Sequence, residues 1–454
     1  MNKIIKIVRI VLISIFLFWG VSYISINGYK KEIKQRNFIE KMATNAFELP
    51  AILKYWAKTN FKKPQQAIDL ELTGDLYEIG KFPSNSKVND SIYLLYYKYL
   101  GEDKGKVFLQ NVKNGDVAFS WDIPLSEIMN DLKGIDKDLI TKYYNDELSI
   151  NLTTRVRKNF PSIQISAPII SKDSSLIFHC GNLGYIYKID KNSKILWKSE
   201  KLAHHSIEVD SLNNIWTCSI DFTNETANHH GYREDAILCL SPDGKEKHFF
   251  PLTTIFENNK LFKKLIASSP NHEQEYGLDP YHLNDVLPVT SDGSYWKKGD
   301  VFLSLRHQSM VMLYRPELDT IVWQQQGPWL GQHDVNIVND SVISVFNNNV
   351  WFFNNRGNVE PNTTSNIAFY DFSNEKTSFK YDKVFTSPFQ GRQIDLKNNQ
   401  LFIEETSRAT YFFLDSLENI TGRFYIPYFS DSTRAMNPTW ARVYIKDKKN
   451  FKIQ

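Results

Sequence analysis

The sequence predicts an all-β protein, a six-bladed β-propeller preceded by an N-terminal transmembrane helix and a short helical stalk. Three observations lead there. Six segments share one pattern: a strand, a tight polar turn and a second strand that often ends in an aromatic. They are residues 105–121, 184–197, 235–250, 309–323, 366–379 and 409–424. A second repeat lies upstream of the hairpins, where a propeller has its innermost strands, and five copies of it align without gaps. The third observation is the aromatic content of 14%, since aromatic side chains suit a half-buried pleated surface. A β-sandwich with coincidental hairpins is the competing architecture. It does not explain why the two repeats keep the same relation to each other.

Taken in order, the chain divides into residues 1–27, an N-terminal signal anchor; 28–89, a juxtamembrane helical stalk and linker; and 90–454, the propeller. Lys3, Lys6 and Arg9 precede an uncharged, mostly apolar run from Ile10 to Ile26. No small-residue cleavage site follows, so the pattern predicts a retained anchor through which the protein meets the membrane. Lys30, Lys31, Lys34 and Arg36 follow the run, so the positive-inside rule leaves its orientation open. In the stalk, Ile33, Phe38 and Met42 are separated by charges at helical spacing. Residues 125–160 form a charged, helix-like insertion in the propeller.

Composition excludes several functions. With 42% hydrophobic and 23% charged residues the chain can bury a core, so wholesale disorder is ruled out. A formal charge of +3 with no basic stripe through the body gives no support for nucleic-acid binding. Cys180, Cys218 and Cys239 show no CxxC spacing, and three thiols cannot close a disulfide framework. They read as small buried residues.

The second repeat carries the chemistry. Its copies are Ser166-AP-Ile169-Ile170, His205-SI-Glu208-Val209, His282-LN-Asp285-Val286, His333-DV-Asn336-Ile337 and Arg392-QI-Asp395-Leu396. Each opens on a residue expected at one height around a central channel, so His205, His282, His333 and Arg392 should face one another. The end of an antiparallel partner strand lies on the same side as the start of the innermost strand. Those ends carry His179, Ser219, Arg306, Asn347, Asn348 and Glu405. The gapless alignment selects His205 over its neighbour His204. His307, next to Arg306, is expected to face the opposite way. His229 and His230 lie in a polar loop and read as solvated, and Glu405 as a partner for Arg392 or Arg408.

Arginines among histidines make an anion site whose imidazoles can also be nucleophile, general acid or general base near neutral pH. Transfer of a charged group through a covalent histidine would use one imidazole in line with the scissile bond. A second would protonate the leaving oxygen, and cations would hold the remaining oxygens.

The series HLN at 282–284, SLR at 304–306 and QHD at 332–334, with His205 ahead of them, resembles the PAPS-independent arylsulfate sulfotransferase family. The resemblance covers roughly residues 160–430. It implies a six-bladed propeller, generally periplasmic, that moves a sulfuryl group from an aryl sulfate to a phenol or other hydroxyl acceptor. It also implies a ping-pong route through a sulfohistidine and no cofactor. On this resemblance His333 is the nucleophile, His205, His282 and Arg306 complete the catalytic set, and Asn284 binds substrate; Arg392, which the family motif does not demand, is a substrate-binding candidate from its lining position. The implied body is extracytoplasmic, periplasmic or extracellular, with a homodimer left open. The polar stretch SDGSYWKKGD between His282 and Arg306, and the helical rather than β-rich N-terminal part, depart from the better-known members.

Two other classes compete. A zinc site built from three histidines has the right donors, but the fixed charge of Arg306 opposes a divalent ion, so no metal is expected. A non-catalytic propeller binding an anionic glycan or a protein partner at the same mouth would keep the arginines without needing His333. Hydrolysis in place of transfer is a variant of the first reading.

Overall fold

The computed structural model describes residues 67–69, 76–135, 140, 163–263, 279–350, 364–396, 400–429, 431–447 and 450–453. The predicted anchor and most of the stalk lie outside the described residues. Each of the six hairpin segments pairs antiparallel on itself. Their burial explains their sequences. Second strands such as Val301–Leu305 are buried along their whole length and read as continuous apolar runs, because neighbouring sheets cover both faces. Outer strands such as Lys376–Phe385 are largely exposed and correspondingly polar.

The expectation of six separate blades is corrected. Among the described residues four sheets have the four or five strands of a blade. Three of them end on Leu283–Pro288, Val335–Ile337 and Arg392–Asp395 as innermost strands; in the fourth, which also holds Ile92–Gly101, Arg442–Asp447 takes the corresponding place and pairs on its other side with Asn450–Ile453. Where two further blades were predicted there is one continuous seven-stranded sheet from Ile165–Ile170 to Glu246–Pro251. Ile195–Val209 runs for 15 residues and pairs on both sides, joining the two. No glycine or proline interrupts KSEKLAHH, so the outer strand of one unit continues into the inner strand of the next. A three-stranded sheet of Ala67–Asp69, Pro427–Tyr428 and Asp431–Met436 completes the set. The arrangement is all-β and propeller-like, with four separate blades rather than six.

The transmembrane helix of the predicted fold falls on residues 10–26, which lie outside the described residues, so the described body is all-β without it. No described helix is long and apolar enough to cross a membrane, the longest being the 11-residue Leu125–Ile135. A span needs about 20 apolar residues. Leu125–Ile135 instead packs Leu125, Ile128, Met129 and Leu132 into the core, at the start of the predicted helical insertion. Most of that insertion lies outside the described residues.

Successive sheets are joined through the channel by carboxylates that accept backbone N–H groups of the next innermost strand. Asp235 takes Leu283 N at 2.7 Å, Asp285 takes Val335 N at 2.9 Å, and Asp334 takes Gln393 N at 3.0 Å. Glu404 takes Trp440 N at 2.9 Å and Ala441 N at 2.7 Å. Thr439 then donates to Ile165 O at 2.8 Å, and Arg442–Asp447 pairs with Ile92–Gly101, so the end of the body meets its beginning. Each carboxylate satisfies donors left over where an inner strand starts, in a place water does not reach.

Glu404→Ala strands two buried N–H groups at the closing seam. It should lower the unfolding free energy by about 3 kcal/mol in chemical denaturation. Glu404→Gln keeps one acceptor and should lose about 1 kcal/mol. Equal, negligible losses would show that the seam does not depend on this carboxylate.

Candidate active site

The openers reach the channel through irregular backbone. Between Ile207↔Thr217 and His204↔Cys218 the register shifts, so His205 and Ser206 bulge out of the ladder. A second bulge between Leu283 and Asp285 carries Asn284. His205 and His282 adopt φ of 58° and 52°, a left-handed conformation that costs a side-chain-bearing residue about 1–3 kcal/mol and gathers at functional sites. His333 follows Gly331, whose φ of 61° turns the chain into Gln332.

The three histidines converge. The His205 ring centroid lies 5.2 Å from that of His282 and 6.1 Å from that of His333. Arg306 N donates to His282 O at 3.0 Å, tying the end of one strand to the start of the other. A narrow cleft, with a cavity volume of about 10 Å³, opens onto His205, lined also by Ser166, His179, Gln390 and Trp440.

Hydrogen-bond partners fix the proton positions. Asn348 donates its Nδ2 to Ser387 O and Gln390 O, both at 2.6 Å, so its Oδ1 faces His333 Nδ1 at 2.7 Å. That oxygen only accepts, so His333 carries its proton on Nδ1 and keeps a lone pair on Nε2. His282 Nδ1 meets Asp279 Oδ2 at 2.6 Å and is protonated there for the same reason. His204 Nε2 faces Ser219 O at 3.2 Å and Asp235 Oδ1 at 3.3 Å, so it carries the proton. His204 Nδ1 therefore accepts from His205 Nδ1 at 2.7 Å, and His205 also keeps a bare Nε2. His307 donates Nδ1–H to Asp279 O at 2.5 Å and accepts from Arg306 Nη1 at 2.9 Å through Nε2.

Burial holds these imidazoles neutral. It pushes His333 down to about 3, with Arg306 acting in the same direction. Burial likewise takes His307 to about 3, against the pull of Asp279, and His179 to about 4. His205 and His282 are also held well below the usual histidine range by burial, in His282 against the opposing charge of Asp279. Burial opposes ionisation of Asp279, but Arg233 and His282 outweigh it and keep it ionised.

Three predicted residues stand differently. Arg392 is buried in the channel, where its Nη2 donates to Glu208 at 2.8 Å and its Nε lies 3.7 Å from Asp334. Its charge is matched by carboxylates, and its guanidinium lies 5.7 Å from the Trp440 ring. Asn284 is fully buried and uses one Nδ2–H on Gln332 O at 2.9 Å, holding the segment that carries His333. Glu405 binds Arg423 at 2.6 Å and Arg408 at 3.5 Å rather than Arg392.

Several contributors escape the sequence reasoning. Strand alternation argues against His307, but the strand ends at Leu305 and Arg306–Ser309 form a turn, which brings the His307 ring to 4.4 Å from His282. His204 escapes it because the bulge at His205 breaks the same alternation. Asp279 and Asp235 lie outside the aligned repeats, and Arg233 joins them through Nη2, at 2.9 Å from Asp279 and 3.0 Å from Asp235. Trp440, at φ 63°, is a further opener, two residues before Arg442–Asp447 as His333 is two residues before Val335–Ile337.

Asp279, His282 and His307 bring ligand-type atoms within 4.8 Å of one another. A divalent ion there would have to displace the Asp279–His282 bond and both bonds of His307, and would sit near Arg233 and Arg306. The donors present do not fit a resident metal. The three cysteines are buried, free thiols.

Residues 167–424, more than half of the chain, match the arylsulfotransferase (ASST) family model. The chain belongs to the arylsulfotransferase family. Membership makes it a sulfotransferase in general terms, acting on aryl sulfate donors and their acceptors, in a family whose members are typically periplasmic. No curated protein matches the chain. Among solved structures it is similar to a protein of unknown function from Bacteroides caccae, at 10% identity and a TM-score of 0.42, over 74% of this chain and 94% of that one. It is also similar to a catalytically inactive virginiamycin B lyase from Staphylococcus aureus with quinupristin, at 11% identity and a TM-score of 0.34, over 64% and 92%. At these TM-scores neither likeness bears on function.

In an NMR titration His333 and His307 should stay neutral from pH 8 down to pH 5, because a value of about 3 leaves both unprotonated throughout that range. Protonation near pH 6.5 would contradict the burial argument.

Proposed function

We propose that the protein moves a sulfuryl group from an aryl sulfate ester to a phenol or other hydroxyl acceptor by a ping-pong route through a sulfohistidine at His333. The observation that carries this reading is the fixed tautomer of His333. Asn348 holds the proton on Nδ1, which leaves Nε2 as a lone pair in a water-poor pocket beside Arg306. A neutral imidazole is the nucleophilic form, so no deprotonation precedes attack.

In the first half-reaction His333 Nε2 forms a bond to sulfur as the sulfur–oxygen bond to the aryl group breaks. The bonding electrons leave on the phenolate oxygen. Arg306 is oriented by His307 and offers guanidinium N–H groups to the sulfuryl oxygens as charge shifts onto them. Burial keeps His282 neutral in the free pocket, but an anionic ester raises its affinity for a proton, and Asp279 stabilises the imidazolium. His282 is then placed to protonate a basic leaving phenolate. In the second half-reaction the acceptor oxygen attacks sulfur, the sulfur–nitrogen bond breaks and its electrons return to Nε2. The donor ester carries its own activated group, so the route calls for no cofactor. The body acts outside the cytoplasm, as is typical of the family.

With a chromogenic aryl sulfate and a phenol, the purified protein should release the donor phenol at a rate that depends on the acceptor. His333→Ala should abolish release, and Arg306→Lys should cut it by about 10²–10³-fold through loss of the planar fork. Release unaffected by acceptor would indicate hydrolysis. Absence of release across a broad donor panel would withdraw the chemistry.

A further inference from the structure

The three converging histidines, His205, His282 and His333, are not equivalent in what stands behind them. Asn348 backs His333 and a carboxylate backs His282 directly. Behind His205 stands another imidazole. His205 Nδ1–H donates to His204 Nδ1 at 2.7 Å, and His204 Nε2, which donates to Ser219 O at 3.2 Å, lies 3.3 Å from Asp235 Oδ1. His204 is 1% exposed and Asp235 fully buried, so no solvent intervenes. Arg233 and the backbone N–H of Leu283 hold the carboxylate in place. His205 Nε2, the free end of the chain, belongs to the imidazole that lines the cleft.

We propose that Asp235, His204 and His205 form a proton relay serving the acceptor half of the reaction, with His205 as general base and His204 as the positioning residue that takes the proton onward. The inference rests on the sulfohistidine reading. As the acceptor oxygen bonds to sulfur, its proton passes to His205 Nε2. The proton on His205 Nδ1 passes at the same time to His204 Nδ1. The bond between sulfur and His333 Nε2 breaks, and its electron pair stays on that nitrogen. His205 returns to a neutral imidazole, and the positive charge rests on His204 beside the Asp235 carboxylate. Charge thus ends one imidazole farther from the sulfuryl group, on the ring beside the Asp235 carboxylate, which also offsets the charge of Arg233. His282 lacks such a relay, because Asp279 would hold an imidazolium in place instead of passing the proton on. The relay therefore divides the work: His282 for the leaving oxygen and His205 for the attacking one.

The test uses His204→Gln, which keeps a polar group able to bond to Asp235 but cannot accept and pass on a proton, with His204→Phe as a second variant. With para-nitrophenyl sulfate the leaving phenolate needs no proton, so the first half-reaction is isolated as a burst of nitrophenol. Folding is checked by thermal melting. The expected result is a full burst in His204→Gln and turnover with phenol as acceptor reduced on the order of 10²-fold. That deficit should shrink as the acceptor phenol is made more acidic, since a phenolate needs no base. A structural role would reduce burst and turnover together and leave the dependence on acceptor acidity unchanged. That pattern, or normal turnover in both variants, would overturn the relay while the sulfohistidine reading stands. If the parent protein gives no burst, both fall.

Discussion

Carboxylates bonded across the channel to the backbone of the next inner strand determine where everything else stands. Asp235, Asp285, Asp334 and Glu404 each accept N–H groups at the place where a strand begins, and that place is also where an opener stands. Asp235 binds Leu283 N beside His282, and Asp334 follows His333 directly and binds Gln393 N beside Arg392. The bonds that join the sheets are therefore the bonds that position the imidazoles. The cost is a concentration of acids in a dry channel. Burial pushes Asp285 up to about 8, Asp334 to about 6 and Glu404 to about 7. Arg392 and Arg442 offset part of it by holding Glu208 ionised against its own burial. In these terms Arg392 belongs to the charge balance of the channel more than to the anion site.

The same economy governs the histidines. A buried imidazole with one nitrogen committed to an oxygen acceptor has its tautomer set by that acceptor. Asn348, Asp279, Asp279 O and the His204–Asp235 pair do this for His333, His282, His307 and His205 in turn. Each is left with a defined Nε2, and burial keeps each neutral. The pocket is assembled as a nucleophile and bases that await an anion, and Arg306 supplies the fixed charge.

Much of this was legible in the sequence because repetition converts spacing into position. Hairpins at 184–197 and 309–323, and openers at a constant offset, bring His205, His282 and His333 together on sequence grounds alone, and the structure places their rings side by side. Repetition also misleads. It implies a break wherever a hairpin ends, and the chain from Ile195 to Val209 has none, so two expected blades are one sheet. Alternation fails at His204 and His307 because a bulge and a turn replace regular strand there, and neither leaves a compositional mark. Asp279 and Arg233 occupy loop positions outside the repeats and Asp235 only opens a hairpin strand, so their contacts alone reveal them. The transmembrane helix expected from residues 10–26 lies outside the described residues.

The central claim is that His333 Nε2 becomes covalently sulfated. Its most direct test mixes the protein with an aryl sulfate in the absence of acceptor, quenches in base, where a sulfohistidine persists, and maps the peptides by mass spectrometry. The account predicts one SO3 adduct on His333, lost on addition of a phenol and absent from His333→Ala. Phenol release without an adduct, or an adduct on another residue, would contradict it.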